Sequence, residues 1–273
     1  NAFDKDFLVE SGLSILNNST NNLIDRFNER VIFPIHSFSG RVLGFGGRSF
    51  NANAKAKYIN SPESLIYYKG KVLYGLYQSK SSIAKEKNCL IVEGYTDVIS
   101  MHQNKIKNVV SASGTALGSS QLSLISRLTE NITLMFDGDE AGIKATYRTI
   151  DLALQNAMNV KVFVFPENED PDSYSKKMSP EEFKTKIVES SLNFVDYKIL
   201  TSKLNSKQDP KEIIKIKRNI FKSISNIPDS LIRSQYCKIY YQKLDVTEEV
   251  MLKEVSQARM KVATNDNPII GGG

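Results

Sequence analysis

The stretch Asn131–Gly142, NITLMFDGDEAG, starts as a buried strand and ends as a buried strand should not. Ile132, Leu134 and Phe136 alternate with Thr133 and Met135, and then Asp137 and Asp139 arrive with only Gly138 between them. Two carboxylates at the tip of an apolar strand repel each other and resist burial. Their presence there calls for a partner of positive charge.

Working outward, the same grammar repeats. NCLIVEGY is a continuous apolar run, as expected of a strand buried on both faces, and TDVISMHQNKI after it reads as a helix. NVVSAS and SSQLSLISRL form a second strand and helix, EAGIKATYRTIDLALQNAM a long third helix, and NVKVFVFP a fourth strand. Strands alternating with helices over short connections predict an open, mainly parallel α/β sheet flanked by helices over residues 85–190. Residues 1–84 read as a basic, mixed α/β part. In it a short helix stops near Gly12, Pro34 suits an edge strand or bulge, and SGRVLGFGGRSF reads as a hairpin-like strand pair with a glycine-rich turn. Residues 191–260 read as helical, with Asp229 as a helix cap, and 261–273 as a disordered tail.

Three acidic sites fall at strand ends: Glu93 after CLIV, Asp137 and Asp139 after TLMF, and Asp170 and Asp172 after VKVFVFP. Ligands of open parallel sheets bind outside the carboxyl ends of the strands, so these residues are expected to converge. If the strands continue, the i, i+2 spacing puts Asp137 and Asp139 on one side, and Asp170 and Asp172 likewise. A carboxylate-only site favours a hard ion, Mg²⁺ or Mn²⁺, over zinc. Two such ions about 4 Å apart serve phosphoryl transfer. The plainer reading is that D-x-D is a turn and that Asp139 caps the following helix. Asp97 is open between a water-mediated metal contact and a first-turn role.

Composition narrows the field. The net charge is +6 at pH 7, which suits a polyanionic partner. Cys89 and Cys237 lie far apart, and His36 and His102 are the only histidines, so a zinc site or disulfide framework is not expected and a reduced, cytoplasmic protein is. No apolar run approaches the ~20 residues of a membrane span. The chain begins at Asn1 rather than Met, as a fragment would.

EGYTD (93–97), DGDEAG (137–142) and EDPD (169–172) resemble the motifs of the TOPRIM domain in order, spacing and strand-end placement. ERVIFPI (29–35), GRVLGFGGR (40–48), KYINSPES (57–64), YKG (68–70), LYGL (73–76) and SGTAL (113–117) resemble the catalytic core of the DnaG-type bacterial replicative primases, from about Phe3 to about Val255. The resemblance implies DNA-templated synthesis of short RNA primers from ribonucleoside triphosphates on single-stranded DNA. It also implies that Asp137, Asp139, Asp170 and Asp172 hold two or more Mg²⁺ or Mn²⁺ ions, with Glu93 either a ligand or the general base. Arg30, Arg41, Arg48, Lys57, Tyr58, Asn60 and Lys69 would line a groove for template or nucleotide. The family's zinc-binding module and helicase-binding domain are expected only in the full-length protein, and no membrane partner is implied. A metal-dependent TOPRIM nuclease is the alternative, a topoisomerase would need a large gate domain, and an inert DNA-binding scaffold would not need the full acidic set.

Overall fold

In a computed structural model the protein is described at residues 4–167, 169–204 and 209–265. After helix α1 (Lys5–Glu10), β1 (Ser14–Asn17) and β2 (Asn22–Asp25) form an antiparallel hairpin. Strands β3 (Arg30–His36), β4 (Val42–Ser49) and β5 (Tyr58–Asn60) then form a three-stranded antiparallel sheet. Pro34 sits in edge strand β3, one residue before a register shift at Ile35 and His36, where its missing N–H costs nothing.

The glycine-rich stretch is a single strand, not a strand pair. Residues 42–49 form β4, which pairs with β3 on one side and β5 on the other. Its glycines make room for rings rather than a turn. A Cβ on Gly46 would lie 2.4 Å from Cζ of Tyr95.

Helix α2 (Leu76–Glu86) leads into the main sheet, so the expected boundary at residues 84 and 85 falls inside a helix. The sheet contains β6 (Cys89–Val92), β7 (Val109–Ser111), β8 (Asn131–Leu134), β9 (Asn159–Val162) and β10 (Leu192–Asn193). Their order is β10-β9-β8-β6-β7; β6 to β9 are mutually parallel and β10 runs antiparallel on the β9 edge. Helices α3 (Tyr95–Gln103), α4 (Ser119–Ser126) and α5 (Glu140–Gln155) make the crossovers. Helices α6 (Pro171–Ser175) and α7 (Pro180–Ser190) connect β9 to β10. All four residues of β6 are buried, as the unbroken apolar run requires.

Helices α8 (Phe194–Thr201), α9 (Pro210–Ser225), α10 (Ser230–Tyr240) and α11 (Glu248–Asn265) complete the chain. Asp229 caps α10, accepting from the amides of Leu231 and Ile232. The helical part begins three residues later than expected, at Phe194, because Leu192 and Asn193 pair with Val162 and Lys161. At the other end α11 runs through Asn265, so the start of the expected disordered tail is helical; 266–273 lie outside the described residues. One apolar core joins Ile91, Leu134 and Ile150 to Phe194, Ile220 and Ile224, so the helical part packs as a layer on the sheet. Among the described residues no helix is long and apolar enough to cross a membrane.

Candidate active site

Strands β6 and β8 are neighbours, yet the chain leaves them in opposite directions. One leads through α3 to β7, the other through α5 to β9. Their loops part above the carboxyl ends and open a crevice at the topological switch point. Glu93 stands on one lip and Asp137 on the other. Glu93 Oε1 accepts from the Asp137 amide at 3.0 Å and so ties the lips together. The Glu93 carbonyl accepts from Ser111 Oγ at 2.6 Å, and Ser111 Oγ accepts from the Ser113 amide at 2.9 Å. The SAS end of β7 thereby holds the Glu93 backbone in place.

The remaining acids do not continue the strands. Asp139 caps α5, accepting from the Gly142 amide at 2.7 Å, and Asp170 caps α6, accepting from the Ser173 amide at 2.7 Å. Asp172 lies in the first turn of α6, where Ser100 Oγ donates to it and Lys176 pairs with it at 2.7 Å. Short, acidic side chains at a strand-to-helix turn find amide donors locally, and this outcompetes an extended i, i+2 arrangement. Asp97 takes the first-turn role, accepting from the Gly94 amide at 2.8 Å.

These acids share one electrostatic field. Desolvation pushes Glu93 above the ordinary carboxylate range; the Asp137 amide opposes the shift, and the charges of Asp137, Asp139 and Asp97 add to it. Desolvation raises Asp97 too, against its Gly94 hydrogen bond and with the charges of Asp137, Asp170 and Asp172. Asp137 is raised by desolvation and by Asp139 and Asp170. Asp172 is lowered instead, chiefly by Lys176 and then by Ser100. Asp97 thus belongs to the acidic group electrostatically as well as serving its helix.

The compact five-carboxylate cluster expected for metal is not formed. Among the described residues no three acidic, histidine or cysteine side chains stand close enough to enclose one ion. The donor set nevertheless fits a hard divalent cation. It is all oxygen, it carries under-compensated charge at Glu93, Asp97 and Asp137, and Mg²⁺ is commonly held by one or two carboxylates with water and phosphate oxygens.

The residues expected to line a groove separate into groups. Arg48 and Tyr58 are paired across β4 and β5, the guanidinium 5.7 Å from the ring centroid, and exposed Lys57 is next along the chain. Arg41 lies at the opposite end of β4, ~23 Å away at strand rise. Arg30 donates to the carbonyls of Gly47, Ala56 and Lys57 and braces the β4–β5 edge. Asn60 is also engaged: it accepts from Tyr95 Oη at 2.7 Å and donates to the Ser113 carbonyl at 3.1 Å. Lys69 stands in a short 3₁₀ turn, its amide donating to Glu63 Oε1 at 3.1 Å and its carbonyl accepting from Gln121.

Sequence reasoning missed Tyr95, Ser100 and Ser111. Tyr95 stacks on Phe33 with centroids 4.9 Å apart and meets Tyr74 edge-on at 4.7 Å. The serines carried one signal: small polar residues where a buried strand or helix reaches the acidic edge.

Residues 1–80 match the family described as "DNA primase catalytic core, N-terminal domain", and residues 90–175 match "Toprim-like". A DNA primase of Halalkalibacterium halodurans is 36% identical over 247 residues, 90% of this chain and 41% of that protein. The chain thus spans less than half the length of this relative. A DNA primase domain from Pseudomonas aeruginosa superposes with a TM-score of 0.81 at 30% identity, covering 93% of this chain and 79% of that one. A DnaG primase catalytic domain bound to single-stranded DNA superposes with a TM-score of 0.76 at 31% identity, covering 90% and 78%. Agreement of sequence and architecture over nine-tenths of its length shows that the chain belongs to the DNA primase family and has that family's catalytic-core fold, Toprim domain included.

Proposed function

We propose that this chain is the polymerising part of a DNA primase: it joins ribonucleotides into short RNA on a single-stranded DNA template at the replication fork. The observation that carries the reading is the Glu93–Asp137 contact at the switch point of the parallel sheet, with the cationic, aromatic Arg48–Tyr58 pair presented from the adjoining small sheet. A primer 3′ hydroxyl would attack the α-phosphate of a nucleoside triphosphate, and pyrophosphate would leave. Bound Mg²⁺ or Mn²⁺ would neutralise the phosphate oxygens and acidify the attacking hydroxyl. Asp137 and Asp139, with Asp170 and Asp172 on the next strand end, would hold the ions.

The chain's own groups have distinct tasks in this reading. Glu93, with one oxygen held by the Asp137 amide and its proton affinity raised, is suited to take the hydroxyl proton. Lys57 and Arg48 would neutralise phosphates, and Tyr58 would stack on a base without regard to its identity. Arg41 is too far along β4 to join them and would meet a more distant part of the template.

The test is RNA synthesis on single-stranded DNA with labelled ribonucleotides, with Mg²⁺ or Mn²⁺ or neither. Short, template-dependent, metal-requiring RNA is the expected product. Asp137→Asn should lower the rate by at least about a hundredfold, the scale of a lost charge-stabilising group. It should leave template affinity intact, because Asp137 repels DNA. Cut DNA without RNA would overturn the reading in favour of a nuclease.

A further inference from the structure

Two cavities flank the Glu93–Gly94 turn, and Gly114 borders both. The smaller, of about 140 Å³, lies toward the small sheet, between Tyr58, Asn60 and Tyr95. The larger, of about 470 Å³, lies on the other side, between the SGTAL loop, α5 and Phe136. Its walls are mostly apolar, with Leu117, Phe136, Ala145 and Leu152. It holds two ionisable groups: Glu93 at the sheet edge and Arg148 on α5. Arg148 is exposed, and among the described residues it has no hydrogen-bond or ion-pair partner in the protein.

We infer that the larger cavity receives the nucleotide that carries the attacking 3′ hydroxyl, its base against Phe136 and Leu117 and its 5′-phosphate on Arg148. This rests on the polymerase reading above. Joining two nucleotides needs two nucleotide positions, one on each side of the reacting phosphorus, and the Glu93 turn has a cavity on each side.

Charge decides which is which. An incoming triphosphate carries several negative charges, and the cations Arg48 and Lys57 belong to the small-sheet side. The nucleotide at a primer end carries a single phosphodiester charge, and the larger cavity offers a single arginine. A guanidinium with no protein partner and a planar fork of donors suits that phosphate. The volume lies within the range of small-ligand sites and is several times that of its neighbour. Apolar and aromatic walls accept any base by contact and stacking, as an enzyme copying an arbitrary template requires.

The test is a binding cycle that does not depend on catalysis. Adenosine and adenosine 5′-monophosphate are titrated by calorimetry against the wild-type chain and Arg148→Met. In the wild type the monophosphate should bind about tenfold or more tightly than the nucleoside, the effect of one charge-assisted contact. In Arg148→Met the two should bind equally. Ala145→Phe, which fills the cavity, should abolish binding of both, with its thermal unfolding checked to show that it folds. A wild-type preference for the monophosphate that survives in Arg148→Met overturns the inference, as does the absence of monophosphate binding. The synthesis assay on single-stranded DNA separates the two levels. RNA made by a wild type whose nucleotide binding ignores Arg148 sinks this assignment alone, whereas a chain that makes no RNA sinks the polymerase reading with it.

Discussion

A methyl group on Gly142 would lie 2.1 Å from the carbonyl oxygen of Asp137, a contact with backbone that no rotamer change relieves. The DGDEAG turn is therefore folded so tightly against the first turn of α5 that only glycine fits. Gly142→Ala should lower stability by about 1–3 kcal/mol in thermal or urea unfolding, the scale of overpacking a rigid site. It should also depress synthesis, because the Asp139 cap and the Asp137 amide on Glu93 shift together. The acidic residues themselves were legible in the sequence by their strand-end positions. Their conformations were not, since an aspartate one or two residues past a strand can extend or cap, and only the donors around it decide. Nor could Asn60 and Arg30, polar residues within a basic stretch, be recognised as internal braces before their partners were known.

At the scale of elements, the apolar runs around Cys89, Val109, Ile132 and Val160 marked the parallel sheet clearly, because a strand covered on both faces has little other reading. The glycine-rich β4 was misread because its glycines answer to Tyr95 on another element, and β10 because two residues of strand carry no periodicity. Helix α8 shows how elements are joined here. Lys198, fully buried, donates to Asn219 and Ser223 on α9 and pairs with Asp151 on α5 at 3.4 Å, its ammonium 4.5 Å from the centroid of Tyr147. Lys198→Met keeps the aliphatic stem but removes the ammonium facing Asp151, which keeps the Ser223 hydroxyl as a donor; a loss of about 1–3 kcal/mol in unfolding is expected, below the full cost of breaking a buried pair because Asp151 keeps that donor and some solvent. Helices α2 and α3 meet through a titratable contact. Ser79 Oγ donates to the Val109 carbonyl at 2.7 Å, so its 3.1 Å contact with His102 Nε2 makes the imidazole the donor and, in the neutral ring, puts the proton on Nε2. Burial, and then Lys107, lower the His102 pKa below its usual 6.5. A histidine with a depressed folded-state pKa contributes fully above the unfolded-state value and loses that contribution as pH falls from there toward the folded value. As pH falls below 6.5 wild type should therefore lose stability relative to His102→Gln, read as the difference between their unfolding midpoints at each pH.

For the whole molecule, the acidic edge carries an electrostatic cost. Glu93, Asp97 and Asp137 have folded-state pKa values raised above their unfolded ones, so at neutral pH their ionisation works against the fold, and the opposition fades as pH falls through the raised values. A divalent cation that binds only the folded form should reverse this and raise the unfolding midpoint in proportion to the logarithm of its concentration. Asp137→Asn should be more stable than wild type without metal and gain less from Mg²⁺ or Mn²⁺; an equal gain in both proteins would remove Asp137 from the ion-binding set. The Tyr95 ring, seated over Gly46 and bonded to Asn60, has a mechanical consequence. It is the residue after Gly94, at the root of the Glu93 turn, and it plugs the small sheet onto the large one like a dowel. The distance from the aromatic face of the small sheet to the acidic crevice is therefore a fixed gauge. On the polymerase reading, any widening to admit a template would come from the loops at 50–57 and 61–72, with the two sheets keeping their spacing from one nucleotide addition to the next.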